Sequence, residues 1–151
     1  MHESPGSSSN NLTGLPRLIR DLVADVYNTI QKWNDCHIQG SNLAKQILNY
    51  VANNKIKLTD ELDCLMRQLE DTFLQISAHE NMLQSFPSQL NSVNKLHGSI
   101  EPIFISLSLR QLSNLVQEIS SAYKRELQVR LMLNCNCRRT IFRTVGEEEC
   151  A

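Results

Sequence analysis

Residues 58–83 read LTDELDCLMRQLEDTFLQISAHENML, and this stretch decides the fold. Leu58, Leu62, Leu65, Leu69, Thr72, Ile76, His79 and Leu83 recur at alternating steps of four and three. That is a heptad seam with two polar intruders, the pattern of a long helix that lays one edge along another helix. A polar residue such as His79 on a seam is expected to set register rather than to catalyse. Upstream, Leu15, Ile19, Leu22, Val26, Ile30 and Trp33 repeat the same spacing, opened by Gly14-Leu15-Pro16 with Pro tolerated in a first turn. This helix is expected to end near His37, with Gly40 in the left-handed conformation of a terminus. Ser41 would then cap a short second helix carrying Leu43, Ala44, Ile47, Leu48 and Val51, broken at Asn53-Asn54, the alternative being a bend inside one longer helix.

Downstream of the seam, Pro87 is expected to kink or stop the helix at Phe86, because it lacks an N–H and disfavours helix at the residue before it. Gln89–Leu96 could add two turns before Gly98. In Pro102–Leu109 the apolar residues alternate, a period of two, but no partner strand is evident, so an extended segment packed along helices is expected. A last helix starts near Leu109–Arg110 and shows Leu112, Leu115, Val116, Ile119, Ala122, Tyr123 and Leu127 on one side. The expected fold is all-α: an elongated bundle of three to four helices with a coiled-coil-like hairpin and an extended segment before the last helix. Residues 1–13 are expected to form a disordered leader, 14–143 a single helical domain, and 144–151 an acidic flexible tail.

Composition agrees with this outline. The chain has 151 residues, five glycines, four prolines and only 5% aromatics, too few turn formers for an all-β domain. Fifteen Lys+Arg against sixteen Asp+Glu give a net charge of −1, which argues against coating nucleic acid, an activity that needs surplus cations. No apolar run is long enough to span a membrane. The first ten residues have no apolar core of a secretory signal, so an intracellular chain with five free thiols is expected.

Catalytic constellations are thin. The four histidines show no paired spacing, and Cys36-His37, adjacent on a helix, point apart. Cys135-Asn136-Cys137 resembles half of a zinc site but has no second pair at zinc-site spacing. The glycines are scattered, so no phosphate loop is present. Seven Lys/Arg lie between Arg110 and Arg143 (110, 124, 125, 130, 138, 139, 143); they suit a solvated helix face or an acidic partner. A small helical chain with a lean core and an exposed seam is expected to bind other proteins. No catalytic, cofactor or metal residue is assigned.

Two stretches go beyond generic helix. Ala24–Trp33 reads ADVYNTIQKW, followed by Gly40, Ala44 and Ile47; Pro102–Ser106 reads PIFIS, followed by Tyr123-Lys124-Arg125-Glu126-Leu127. Together they resemble the cyclin-dependent kinase 2-interacting protein family, over Ala24–Ile47 and Pro102–Leu127. Ser106 stands where the family carries Thr, Leu107 where it carries an aromatic, and a C-terminal extension of the family form is missing. The resemblance implies a nuclear, non-enzymatic adaptor, present also in the cytoplasm in some settings, that links cell-cycle kinases and checkpoint signalling to DNA replication. It further implies a subunit of a chromatin-associated AAA ATPase assembly, paired with another small helical subunit and implicated in replisome turnover and large-ribosomal-subunit maturation. The alternative is a structural coiled-coil subunit of a tethering or kinetochore-like complex.

Partner-facing candidates are Leu62, Leu65, Leu69 and Ile76 on the seam and the cations Lys124, Arg125 and Arg130. Tyr27, Asn28, Ile30, Trp33, Gly40, Phe104 and Tyr123 carry the family-like motifs. Of these, Trp33, Tyr27 and Phe104 are expected to pack as one cluster.

Overall fold

The computed structural model describes residues 14–53, 59–97, 102–104 and 107–148. Three long helices account for nearly all of them: α1 (Leu15–Asn53), α2 (Asp60–His97) and α3 (Leu109–Glu148). The fold is an all-α bundle, as the apolar spacing indicates. The leader, Leu58 and Gly98 lie outside the described residues.

α1 begins behind Gly14, whose φ of 72° only glycine adopts freely, and whose carbonyl accepts from the Leu18 amide at 3.2 Å. It then runs unbroken to Asn53, so the expected break after His37 is absent. Gly40 is not a terminus but a buried mid-helix contact. A side chain there would meet Thr72 Cγ2 at 3.4 Å and Leu69 Cδ1 at 3.8 Å. Thr72 itself donates to the Gln68 carbonyl at 2.8 Å, which satisfies its hydroxyl within α2 and turns its methyl toward α1. The polar intruder on the seam is therefore a place where two helices approach closely.

α2 starts at a capping residue, Thr59, whose Oγ1 accepts from the Leu62 amide at 3.3 Å, with Asp60, Glu61 and Asp63 in the first turn where the helix dipole favours acid. The hydroxyl of Tyr50, near the end of α1, meets the Thr59 hydroxyl and ties the hairpin shut. α2 does not stop at Pro87 but continues to His97, so Gln89–Leu96 extends it. Proline at 87 leaves the Leu83 carbonyl without its helical donor. The buried Ser120 hydroxyl of α3 donates to that carbonyl at 2.9 Å, and Gln84 Nε2 returns a bond to the Ser120 carbonyl, also at 2.9 Å. A tertiary hydrogen bond thus replaces the one the ring removes.

The alternating segment forms a minimal antiparallel hairpin, β1 (Pro102–Phe104) against β2 (Leu107–Ser108), rather than an unpaired extended stretch. Its end is the cap of α3. Ser108 Oγ accepts from the Gln111 amide at 3.3 Å, while Gln111 Oε1 accepts from the Ser108 amide at 2.9 Å, a reciprocal capping box. α3 continues to Glu148, into the stretch read from sequence as a flexible tail.

Cross-helix pairs fix the arrangement. Cys36 with Gln75 and Tyr50 with Thr59 run α1 antiparallel to α2. Ser113 with Asn91 and Ser120 with Leu83 run α2 antiparallel to α3, leaving α3 parallel to α1. The core has two centres. Ile19, Leu22, Val26, Leu83, Phe86, Leu90, Leu109, Leu112 and Val116 fill one end. Trp33, Cys36, Ile76 and Leu127 fill the middle, and Tyr123 packs against both.

Candidate functional site: an apolar cleft at the open end of the bundle

Beyond Leu127, α3 buries no further hydrophobic side chain among the described residues. The seam between α1 and α2 continues there, through Gly40, Leu43 and Ile47 on one side and Leu62, Leu65 and Leu69 on the other. The result is a cleft of about 230 Å³ between the α1–α2 hairpin and the last turns of α3. Its apolar wall includes Ala44, Ile47, Met66, Leu69, Phe73 and Ile76. Leu48 from α1 and Leu133 from α3 stand at the mouth, 65% and 59% exposed. Leaving two large side chains this wet is unfavourable, since burying one is worth about 1.5–3 kcal/mol.

Trp33 is 3% exposed and lies beside the lining residues His37 and Arg130. Tyr123 meets its ring edge-on at 4.8 Å and 85°, the favoured geometry for aromatic quadrupoles. His37 tilts against it at 5.7 Å, and the Arg130 guanidinium stands 5.8 Å from the ring centroid, within cation–π range. Arg130 Nη2 also pairs with Glu126 at 2.5 Å, one turn back on α3. Its Nε and the indole Nε1 of Trp33 are both buried without an acceptor among the described residues. Burial, and then the charge of Arg130, push the His37 imidazole below its ordinary pKa, with Glu126 opposing. Burial, then the charge of Asp35, push the neighbouring Cys36 thiol up.

The residues singled out from sequence separate here. Leu62 and Ile76 are buried and Leu65 and Leu69 half-buried, so most of the seam is spent inside the hairpin; Leu69 and Ile76 also line the cleft. Lys124 and Arg125 are exposed, but Arg130 does not join them. Its side chain is only 27% exposed and turns inward to Glu126 and Trp33. Trp33 is in the core as expected, whereas Tyr27 is 61% exposed and belongs to no cluster with it. Tyr27 sits one residue past Val26, about 100° round the helix from the inward stripe. Asn28 is exposed, Ile30 half-buried against the first core centre, and Tyr123 takes the aromatic role beside Trp33. The Phe104 side chain lies outside the described residues. The cleft-lining His37, Leu48, Met66 and Leu133 went unremarked as a group. The small residues Gly40 and Ala44, one turn apart, were the available signal that α1 is approached closely on that face.

His79 Nδ1 and Glu80 Oε1 are buried without partners among the described residues. Among the described residues no cluster of three metal-ligating side chains occurs, and no helix is long and apolar enough to cross a membrane. Comparison with protein-family models, with curated proteins and with solved structures finds no match to this chain.

Proposed function

We propose that the protein is a non-enzymatic helical adaptor that docks partner proteins at the open end of its bundle. The observation that carries this reading is the apolar cleft with Leu48 and Leu133 exposed at its mouth, on a molecule whose seam residues Leu62, Thr72, Ile76 and Leu83 are buried inside the bundle. Exposed apolar surface around a groove is a common sign of a protein-binding site. The resemblance of Ala24–Ile47 and Pro102–Leu127 to the cyclin-dependent kinase 2-interacting protein family supports a more specific version. In it, the adaptor is nuclear, links cell-cycle kinases and checkpoint signalling to replication, and serves in a chromatin-associated AAA ATPase assembly with a second small helical subunit.

Affinity purification of the full chain from its native cell tests both levels. The expected result is a stable complex containing a AAA ATPase, a small helical subunit and cell-cycle kinases. Recovery of tethering or kinetochore components instead would overturn the specific version; recovery of no stable complex would overturn the adaptor reading. The double variant Lys124→Glu/Arg125→Glu is expected to fold normally, because exposed charges are usually worth within about 0.5 kcal/mol each. It should weaken the complex in a salt-dependent way if these two cations steer a partner.

A further inference from the structure

We infer that the cleft receives an amphipathic helix of a different protein, and that an acidic side chain on that helix is held by Arg130. This rests on the adaptor reading and names the chemistry of the partner. The cleft, at about 230 Å³, is smaller than the roughly 300–1,000 Å³ typical of pockets that engulf small molecules. Its apolar surface does not stop at the mouth. Leu48 and Leu133 line its rim, and Val129, one turn back from Leu133 on α3, is exposed as well. A row of side chains from one helix, at i, i+3 or i+4, and i+7, fits a shallow trough with apolar lips better than a compact ligand does.

The charge at the site points to an acid on the incoming helix. Arg130 lines the cleft with one edge tied to Glu126 and its Nε buried and without an acceptor among the described residues. A buried guanidinium donor is completed best by a carboxylate, which accepts in the plane of the fork. Lys45 adds a second cation at the rim, since it stands four residues from Ser41 and three from Leu48, both lining residues. A second copy docked cleft to cleft offers no such acid. Among the described residues the acidic one in the lining is Glu70, which is already engaged within the chain, and Glu126 is committed to Arg130.

The test places a photo-cross-linking residue at Leu48, at Leu133 or, as a control, at Asp71, which is exposed at the same level on the opposite side of α2. The full chain is used in its native cell and the captured segments are sequenced. Leu48 and Leu133 are expected to capture one segment of one partner, with helical apolar spacing and an Asp or Glu at the edge of the stripe. Yield from Leu133 should fall about 10-fold or more on Arg130→Gln and recover when Arg130→Glu is matched by a basic residue at that partner acid. It should also fall with rising salt in the unsubstituted protein, a reading independent of how the variants fold. Capture of a second copy, capture of a segment lacking an acid, equal yield from Asp71, or indifference to both Arg130→Gln and salt would each overturn the inference. A complex that forms but cross-links elsewhere leaves the adaptor reading standing; no complex at all removes both.

Discussion

Trp33 and Tyr27 sit six residues apart in one motif and meet opposite fates, the first buried under Tyr123, His37 and Arg130, the second in solvent. Residue type alone suggested that both aromatics pack together; register decides otherwise, because Val26, Ile30 and Trp33 fall on the inward stripe and Tyr27 does not. Arg130 teaches the same lesson from the charged side. Its place in a basic run suggested a cation offered to an acidic partner or to solvent, yet it lies four residues after Glu126 and is drawn in by an aromatic ring that the local sequence does not contain. His37 gives this corner a measurable pH response. Its folded pKa lies below the ordinary 6.5, so the unfolded chain takes up the proton more readily than the native one. The stabilisation is therefore complete above pH 6.5 and is lost as pH falls through and below that value toward the lower, folded-state pKa. Urea midpoints should decline over that interval, and His37→Gln should flatten the decline; an unchanged slope would exclude His37 as its source.

Within α2, the heptad letters Leu62, Ile76 and Leu83 disclosed the buried edge correctly, while a stop at Pro87, one of the two outcomes expected there, does not occur. Local rules see the donor that proline removes but not Ser120, which supplies a replacement from α3. Ser120→Ala should leave the Leu83 carbonyl unsatisfied and cost about 1–3 kcal/mol by chemical denaturation. The same change in a Pro87→Ala background should cost distinctly less, because residue 87 then provides its own N–H; additive effects of the two substitutions would show that the two groups are not coupled. In α1, Gly40 was legible as a special position, but its role is proximity to Thr72 and Leu69 rather than chain termination. A methyl there falls at ordinary contact distance, 3.4 Å from Thr72 Cγ2. Gly40→Ala should accordingly raise the thermal midpoint through helix propensity, by up to about 1 kcal/mol, whereas Gly40→Leu should lower it by crowding α2.

Taken as a molecule, the bundle is tightly filled at the end where α2 meets the start of α3 and open at the other, with Tyr123 bridging the two core centres. Trp33→Ala removes the side chain between the filled middle and the cleft, and should lower stability by about 3–5 kcal/mol in urea titrations. A small loss would mean that the middle layer rearranges around the hole. The all-helical class and the long hairpin could be read from spacing because each helix carries its own stripe. The cleft could not, since it arises where three stripes part company, and that depends on where along α3 the inward residues run out. The bond from Ser120 to Leu83 spans 37 positions of chain, and this has a consequence during synthesis. At about 5–20 residues added per second, the serine follows the carbonyl by roughly 2–7 s. Over that interval the nascent α1–α2 hairpin holds a proline-broken turn that only water can satisfy. Completion of that turn therefore waits for α3, and a ribosome that stalls once Pro87 has emerged but Ser120 has not would leave the Leu83 carbonyl to water.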